Sequence, residues 1–299
     1  MPPIGRLVAA FLLSVNSTTL GQQLLPEASG KSVERLIDLN QLDAAQIQLE
    51  ARKQIEGNTP RVTFLDAMIL HRRGKYLASA EKLAGVESAL RRDPDFLKLA
   101  GLNLIGLELL EPAGPYFDRA AELAPRDGMA HYYVGLWRLK TREFVGAEAA
   151  LRRSLELLPE HSDTYLMLGL TLEQQAKTEA ALAAYAKAAE KAKNRGFSSE
   201  APHLYAGRLL LILNRAEESI PHLNEALKVS PKCFEVLFAL GKAHETLGQL
   251  KEAEAAYRKS VELSPQDDRA PYRLMQLLHK QGRTEEARRI REGLRVRAK

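Results

Sequence analysis

Residues 130–159 read AHYYVGLWRLKTREFVGAEAALRRSLELLP, and this stretch sets the organisation of the chain. Apolar residues recur at helical spacing in two runs, 130–139 and 143–157, which a short polar turn separates. Pro159 ends the second run, because proline lacks a backbone N–H and clashes with the preceding turn. The stretch therefore predicts two helices joined by a tight turn.

This pattern repeats along the chain with a step of 34 residues, broken once by four extra residues between Gly169 and Gly207. Self-similarity at a fixed step indicates a repeat architecture, in which each unit buries its apolar face against its neighbours. A small residue recurs in the first helix, a small and then a large residue in the second helix, and a proline after it. The members of these four classes are Gly101, Gly135, Gly169, Gly207 and Gly241; Ala113, Ala147, Ala181, Ser219 and Ala253; Phe117, Leu151, Tyr185, Leu223 and Tyr257; and Pro125, Pro159, Pro231 and Pro265.

On these residues the chain resembles the tetratricopeptide repeat (TPR) family, whose unit has small residues at positions 8 and 20, a large residue at position 24 and proline at position 32. Lys193 replaces the proline in the unit that carries the insertion. The resemblance implies an all-α fold, a right-handed α-solenoid of stacked helix–turn–helix hairpins. Small residues at positions 8 and 20 let the two helices of a unit approach closely, and the residue at position 24 is expected to pack onto the next unit.

We expect residues 22–299 to form a solenoid of about eight hairpins. Their limits follow from the repeat step and are 26–59, 60–93, 94–127, 128–161, 162–199, 200–233, 234–267 and 268–299. The five units within 94–267 match the pattern best, and the first two are degenerate. Pro94 lies later than the step allows for the end of the preceding unit, so we expect a small insertion there.

The resemblance further implies a protein or peptide partner, bound in a concave groove that the first helices line. Positions 2, 5, 9 and 12 of each unit are expected to face this groove, whose first half is apolar and whose second half mixes aromatic and charged residues. The predicted groove residues are Tyr132, Leu136, Leu166, Leu170, Leu204, Arg208, Phe238, Lys242 and Tyr272. Apolar side chains on an exposed groove offer a docking surface for an extended peptide or a helix.

One binding mode of such repeats is disfavoured by the sequence. Some TPR proteins bind the acidic C-terminal tail of chaperones through paired Lys and Asn residues on successive first helices. Leu102 and Leu136 occupy the asparagine positions here, so this carboxylate clamp is absent. We therefore expect a non-enzymatic interaction scaffold with another kind of partner. The alternatives are a homo-oligomerisation module and an accessory subunit of a cell-envelope assembly or secretion complex.

The first residues have the layout of a secretory signal peptide. Arg6 precedes the apolar run 7–15, which is followed by polar residues and by Gly21 at a predicted cleavage point. The run is too short to span a bilayer, which needs about 20 residues. We therefore predict a signal peptide in 1–21 and a periplasmic or secreted protein, with a cytoplasmic protein as the alternative.

Composition and motifs give no support to catalysis, to a metal or to a cofactor. The chain has 299 residues and a formal net charge of +5, too weak an excess to indicate nucleic-acid binding. It lacks phosphate-binding glycine loops and zinc-protease motifs, and its seven histidines are scattered over separate units. Cys233 is predicted to be an inert thiol and Trp137 to pack between helices. His161, Ser162 and Asp163 combine three catalytic residue types, but they lie in a turn where Ser and Asp serve as helix caps.

Two charged segments complete the analysis. Residues 191–200 carry the insertion and are predicted to be a loop or an extension of the second helix, with Phe197 as a candidate contact residue. The Arg-rich residues 283–299 are predicted to form a solvated capping helix, because cations near a helix C-terminus interact favourably with its dipole. Weak peripheral contact with an anionic membrane is the alternative for this segment.

Overall fold

The computed structural model describes residues 32–196 and 198–297, so the predicted signal peptide 1–21 and Phe197 lie outside the described residues. Within the described ranges the chain forms 17 α-helices and no strand. The all-α fold class predicted from the repeat is therefore confirmed. The chain divides into two compact units, Met1–Pro159 and Glu160–Lys299, called here the N-terminal and the C-terminal unit.

The described part of the N-terminal unit consists of consecutive helix–turn–helix hairpins. Its helices are α1 (Val33–Asp38), α2 (Leu42–Glu56), α3 (Pro60–Arg72), α4 (Tyr76–Ala84), α5 (Glu87–Leu90), α6 (Pro94–Gly106), α7 (Leu110–Leu123), α8 (Gly128–Lys140) and α9 (Phe144–Leu157). Each first helix also contacts the first helix of the next hairpin: α1 contacts α3, α3 contacts α6, and α6 contacts α8. The hairpins of this unit are therefore stacked on one another.

The described part of the C-terminal unit repeats this arrangement. Its helices are α10 (Ser162–Gln174), α11 (Thr178–Asn194), α12 (Ala201–Ile212), α13 (Ala216–Val229), α14 (Phe234–Thr246), α15 (Leu250–Leu263), α16 (Arg269–Lys280) and α17 (Thr284–Arg297). Consecutive helices pack against each other, and the first helices α12 and α14 are also in contact. Helices α12 and α14 therefore lie side by side.

One residue in each turn within a hairpin has a left-handed backbone conformation. These residues are Asn40, Gly74, Glu108, Arg142, Ala176, Asn214, Gly248 and Gly282, with φ between 56° and 74°. The first five follow one another at the repeat step of 34 residues, so the small insertion expected near Pro94 is wrong. Pro94 instead begins α6 behind the capping side chain of Asp93. A proline is favourable there because its missing N–H has no partner within the helix.

The recurring prolines determine where four second helices end. Helices α7, α9, α13 and α15 each end two residues before a proline. The residue in between is extended, with φ from −136° to −128° and ψ from 69° to 82°. A following proline disfavours the helical conformation at such a residue. Helix α11, which has Lys193 at the equivalent position, continues to Asn194, so the insertion begins as a helix extension.

The glycine at position 8 and the large residue at position 24 pack together within one hairpin. A Cβ atom on Gly169 of α10 would lie 2.5 Å from the ring of Tyr185 on α11. The other pairs with this relation are Gly101 with Phe117, Gly135 with Leu151, Gly207 with Leu223, and Gly241 with Tyr257. The contact expected between position 24 and the next unit is also present, because Tyr185 stacks on Tyr205 at 5.8 Å between ring centroids.

The first two hairpins match the repeat pattern poorly, yet they have a dense apolar core. Leu36, Leu65 and Ile69 are fully buried where α1 packs with α3. Burying a side chain of this size contributes roughly 1.5–3 kcal/mol. Ser79 of α4 is also buried, and its hydroxyl donates to the carbonyl oxygen of Ala67 at 2.7 Å. A serine at position 20 therefore adds a hydrogen bond across the hairpin.

Candidate interaction surface

The predicted groove residues of the N-terminal unit, Tyr132 and Leu136, are packed against other side chains and are not fully exposed to solvent. Leu136 is only 6% exposed, and Tyr132 is half-buried with its ring edge-on to Tyr133 at 5.2 Å. Lys98, at position 5 of the preceding hairpin, binds Asp95 at 2.8 Å and Asp127 at 2.5 Å. Burial lowers the pKa of Lys98, but the hydrogen bonds to the two carboxylates outweigh it and the pKa is raised. This lysine is therefore held within the fold.

The predicted groove residues of the C-terminal unit differ in their exposure to solvent, and some are buried whereas others are at least partly accessible. Leu166 and Leu204 are 2% and 8% exposed, so their side chains belong to the hydrophobic core. The accessible residues include Tyr272, of which 53% is exposed. The half-buried residues are Leu170, Arg208, Phe238 and Lys242. A role in binding stays a prediction for all of them, and the accessible set is more charged and aromatic than aliphatic.

Cations lie over aromatic rings on the first helices of this unit. The guanidinium of Arg208 lies 5.8 Å from the ring centroid of Tyr205 on the same helix. Arg269 on α16 lies 5.2 Å from the ring centroid of Phe238 on α14, and it also donates to Asp267 at 2.6 Å. Contacts of this kind contribute roughly 0.5–1 kcal/mol at exposed sites. They hold the long arginine side chains close to the helix face.

Three cations on successive first helices interact electrostatically: Arg208 of α12, Lys242 of α14 and Arg273 of α16, called here the cation cluster. Burial, Arg273 and Arg208 lower the pKa of Lys242, and Glu245 opposes this. Among the residues that the structure describes, no carboxylate forms an ion pair with a member of the cluster. The sequence reasoning missed Arg273 and Tyr205 because both occupy position 6, which lies outside the four positions that were considered.

Glutamates at position 12 of two hairpins are engaged by the tyrosines at position 24. The hydroxyl of Tyr185 donates to Glu173 at 2.6 Å, and that of Tyr257 donates to Glu245 at 2.8 Å. Burial and the adjacent carboxylate raise the pKa of both tyrosines above the usual value of 10.0. Three hairpins without the tyrosine have an apolar pair instead, Ile105 with Phe117, Leu139 with Leu151, and Leu211 with Leu223. These glutamates therefore connect the two helices of their own hairpin through a hydrogen bond.

The His161–Ser162–Asp163 sequence does not assemble a catalytic triad. The hydroxyl of Ser162 donates toward Asp163 at 3.4 Å, and a ring nitrogen of His161 lies 2.7 Å from the hydroxyl of Thr164. The expected capping by Ser162 and Asp163 is wrong, because α10 begins at Ser162 and His161 is the N-cap residue. The chemistry of this turn is therefore that of a helix start.

Cys233 and Trp137 occupy packed positions, as their sequence context predicts. Burial and, to a smaller extent, the carboxylate of Glu235 raise the pKa of the Cys233 thiol to about 12. A thiol with so little thiolate at neutral pH is a poor nucleophile. The indole of Trp137 donates to the carbonyl oxygen of Leu110 at 2.8 Å and packs over Gly114, between α8 and α7.

A shallow depression of about 840 Å³ lies between α12 and α13 and contains none of the predicted groove residues. His203 and His222 face each other there with 6.1 Å between ring centroids, and burial lowers the pKa of both. Within residues 32–196 and 198–297, no group of three or more His, Cys, Asp or Glu side chains is placed to hold a metal ion. Two histidines alone define no ligand chemistry here.

The Arg-rich C-terminal segment is helical over its described residues. Arg283, just before α17, pairs with Glu254 and Glu286, and Arg288 within it pairs with Glu285 at 3.1 Å. Part of the positive charge of this segment is therefore compensated within the unit. Among the described helices, none combines the length and the apolar composition that crossing a bilayer requires.

Sequence profiles of the tetratricopeptide repeat match residues 138–196, 204–268 and 247–295, together just over half of the chain. The chain belongs to the TPR family. Proteins of this family act generally as non-catalytic scaffolds for protein interaction. One similar curated protein is the BBSome complex member BBS4 of Bos taurus, which is 27% identical over 166 residues. The match covers 55% of this chain and 31% of that protein, so the chain spans about a third of its length.

Several solved TPR structures share the fold. The Cut9–Hcn1 hetero-tetramer of APC/C matches with a TM-score of 0.72 and 14% identity, over 82% of this chain and 48% of that chain. MamA from Desulfovibrio magneticus RS-1 matches with a TM-score of 0.51 and 20% identity, over 58% and 97% of the two chains. YrrB matches with a TM-score of 0.51 and 19% identity, over 64% and 97%. At these identities the likeness concerns the fold alone.

Proposed function

We propose that this TPR protein is a non-enzymatic scaffold that binds a peptide or a helix of a partner protein on its first-helix face. The observation that carries the proposal is the accessible set of residues on the first helices of the C-terminal unit. Leu170, Arg208, Phe238, Lys242 and Tyr272 combine apolar, aromatic and cationic groups on those helices. Aromatic and arginine side chains are the types that dominate binding energy in protein interfaces.

The related proteins support a protein partner. YrrB is described as a TPR protein with an unusual peptide-binding site, and BBS4 as a member of a complex. Cut9 is found in a hetero-tetramer with Hcn1. These are properties of the relatives, and they favour protein binding over catalysis as the role of this chain.

Site-specific photo-cross-linking tests the proposal. Benzoylphenylalanine is placed at Leu170 or at Tyr272, and the full chain is irradiated in its native host and then purified. Exposed second-helix residues of the other unit, Leu77 and Val145, serve as matched controls because they are 61% and 78% exposed. We expect one or a few defined proteins to be cross-linked from positions 170 and 272 and not from positions 77 and 145.

Two outcomes would count against the scaffold. Identical cross-linked products from all four positions would indicate non-specific capture. Cross-links only to a second copy of the chain would favour the homo-oligomerisation module, and light scattering of the purified protein at several concentrations would then show a dimer or a larger assembly. Loss of all cross-linking on adding purified partner peptide would instead support competitive binding at this face.

Export and membrane contact are separate parts of the proposal. Residues 1–21 are proposed to direct export to a periplasmic or secreted location. The alternative role of the exported chain is that of an accessory subunit of a cell-envelope assembly. Fractionation of the native host, with the mature N-terminus determined by mass spectrometry, tests export, and recovery in the cytoplasm with residues 1–21 intact contradicts it. Flotation with anionic vesicles at low salt tests peripheral contact through the Arg-rich C-terminal helix.

A further inference from the structure

A chain of hydrogen bonds inside the N-terminal unit joins three helices from two hairpins. The Nδ1 atom of His71 on α3 lies 2.8 Å from the Oδ1 atom of Asn103 on α6. The amide nitrogen of Asn103 donates to the hydroxyl of Ser79 on α4 at 2.8 Å, and Asn103 and Ser79 are both fully buried. We call these three side chains the His71 network. Because α3 and α4 both contact α6, the network lies between the 60–93 and the 94–127 hairpins.

The donors and acceptors of the His71 network fit together in one way. The single hydroxyl proton of Ser79 is donated to the carbonyl oxygen of Ala67, so Ser79 accepts from the amide nitrogen of Asn103. The carbonyl oxygen of Asn103 then faces His71 and can only accept, so Nδ1 of His71 carries a proton. The second ring nitrogen, Nε2, is unprotonated in the neutral ring and forms no hydrogen bond with the described residues. A further proton therefore enters the network at Nε2 and makes the ring a cation.

The surroundings of the ring offer no counter-charge for such a cation. Within the described ranges no carboxylate acts on His71, whereas Arg72 does, and Tyr76 of α4 lies 5.3 Å away between ring centroids. Charged side chains on the helices packed against α3 form ion pairs of their own. These pairs are Glu34 of α1 with Arg61, Asp43 of α2 with Arg73, Lys82 of α4 with Asp66, and Asp95 of α6 with Lys98.

Burial makes the neutral ring the favoured form in the folded unit. It lowers the pKa of His71 below the usual value of 6.5, the hydrogen bond to Asn103 opposes this, and Arg72 lowers the pKa further. The unfolded or locally opened chain therefore binds the additional proton more readily than the closed chain does.

The repeat itself shows that a hairpin can be completed without His71 and Asn103. In the 200–233 hairpin, Ser219 takes the place of Ser79 and donates to the carbonyl oxygen of Gly207 at 2.9 Å. Leu211 and Ala243 stand at the positions that correspond to His71 and Asn103. Apolar residues thus accompany the same serine hydrogen bond, and they introduce no group that can become charged. The histidine and the asparagine are additions to the repeat that its packing does not require.

We propose that the His71 network is a pH-sensitive contact, which holds the first two hairpins against the 94–127 hairpin at neutral pH and releases them on acidification. Protonation at Nε2 creates a cation beside Arg72, and separation of α3 and α4 from α6 restores its solvation. The stabilisation by the neutral ring is complete well above pH 6.5 and declines as the pH falls below that value. This regulation is independent of the proposed scaffold function.

Hydrogen exchange of the full chain, followed by mass spectrometry at pH 7.5 and pH 5.0, tests the proposal. After correction for the intrinsic exchange rate at each pH, we expect opening of α3, α4 and α6 to increase about tenfold at the lower pH, the change that corresponds to one unit of pKa. The test variant is His71→Asn, whose amide can donate to Asn103 but cannot become a cation. Its increase is expected to be less than about twofold.

The matched control is His279→Asn. His279 occupies position 12 of the last hairpin, as His71 does in the second, and its side chain is exposed. This variant is expected to keep the full acid-induced opening of α3, α4 and α6. His161, His203 and His222 belong to the C-terminal unit, so acid-induced exchange confined to that unit does not count as opening at the His71 network.

A second variant keeps the test decisive if His71→Asn is open at both pH values. Asn103→Asp places a carboxylate against the ring, and a nearby opposite charge favours the protonated imidazole. Ser79 can donate to the new carboxylate oxygen. Acidification from pH 7.5 to pH 5.5 is therefore expected to decrease the opening of α3, α4 and α6 in this variant, the opposite of its effect on the native chain.

Three results would overturn the proposal. The first is equal exchange of α3, α4 and α6 in the native chain at pH 7.5 and pH 5.0. The second is an acid-induced opening that is as large in His71→Asn, or in Asn103→Asp, as in the native chain. The third is an equal opening of α8 and α9, because the proton would then act on the whole N-terminal unit and not on the contact between these hairpins.

Discussion

At the scale of the residue, Gly169 of α10 lies so close to the ring of Tyr185 that a Cβ atom has no room. The glycines at position 8 are needed because the large side chain of position 24 occupies the space where a Cβ would be. The turn residues at position 15 illustrate a different requirement. Three of the eight are glycines, and Arg142, Glu108 and Ala176 adopt the same left-handed conformation without being glycine. At position 8 the requirement is space for the side chain of position 24, and at position 15 it is a left-handed backbone conformation.

The space requirement predicts that Gly169→Ala destabilises the protein by about 1–3 kcal/mol, because the new methyl group overlaps the ring of Tyr185. The matched control is Gly293→Ala in α17, where a Cβ meets nothing within 4 Å. That change replaces glycine by a better helix former and is expected to stabilise by up to about 1 kcal/mol. Urea unfolding of both variants measures the difference. Equal tolerance of the two changes would show that the helices can separate at no cost.

The backbone requirement predicts opposite effects of reciprocal changes in two equivalent turns. Gly248→Ala is expected to destabilise by about 1 kcal/mol, because an L-residue with φ of 72° brings its Cβ too close to its own backbone. No neighbouring atom lies within 4 Å of that Cβ, so packing does not contribute. Ala176→Gly removes the same strain and is expected to leave the stability unchanged or raise it. Thermal unfolding of the pair checks the sign, and a gain for Gly248→Ala would contradict the account.

At the scale of the element, the hairpin is the unit in which residue types are correlated. Glu at position 12 occurs with Tyr at position 24, and an apolar residue at position 12 occurs with Phe or Leu at position 24. A buried tyrosine hydroxyl needs an acceptor, and a carboxylate on the facing helix provides it. The end of the hairpin follows equally local rules. A proline after a helix and a proline at the start of a helix differ only in context. The repeat step alone assigns Pro94 to the end of a hairpin, whereas the capping side chain of Asp93 shows that Pro94 begins α6.

The correlation within a hairpin predicts strong coupling between Tyr257 and Glu245. Tyr257→Phe removes the hydrogen bond to a charged acceptor and is expected to cost about 1–2 kcal/mol. Changing both residues to Leu reproduces the apolar pair of the 200–233 hairpin and is expected to cost less than the sum of the single changes. Tyr116→Phe is the control, because its hydroxyl forms no hydrogen bond within the described residues. If the cost of the double change in unfolding free energy equalled the sum of the costs of the single changes, the predicted coupling between Tyr257 and Glu245 would be contradicted.

The same pair has a defined pH dependence. Folding raises the pKa of Tyr257 above 10.0 through burial and the carboxylate of Glu245, so the unfolded chain releases this proton first as the pH rises. The stability contributed by the tyrosine is therefore complete below pH 10 and is lost progressively above it. The difference in unfolding free energy between the native chain and Tyr257→Phe is expected to shrink between pH 9 and pH 11. A difference independent of pH would contradict the assignment.

At the scale of the whole molecule, stability is distributed along the chain. The structure divides into two compact units, and within each unit every hairpin contacts its neighbours in sequence. In such arrays the free energy is approximately a sum of terms from hairpins and from nearest-neighbour contacts. A substitution that destabilises one hairpin is therefore expected to increase local unfolding in that hairpin and its neighbours, and not along the whole chain.

This distribution predicts how a core change affects hydrogen exchange. Leu65 is fully buried in the core of the first two hairpins, and Leu65→Ala is expected to cost about 3 kcal/mol. Amides of α1–α4 are expected to lose protection, and those of α14 and α15 to keep it. Leu77→Ala, at a residue 61% exposed, is the control and is expected to change neither region. A uniform loss of protection along the chain would show that it opens as a single cooperative unit.

The sequence by itself determined the helix–turn–helix repeat, its frame and most helix ends, because these depend on helical spacing, glycine and proline acting over a few residues. The tertiary structure alone decided which predicted groove residues are accessible. Leu136, Leu166 and Leu204 are buried, whereas Tyr272 is exposed, although all occupy equivalent faces in the repeat. It also decided that Arg208 and Arg273 act electrostatically on Lys242. Burial and electrostatic proximity depend on neighbours contributed by other hairpins, and a local pattern carries no information about them.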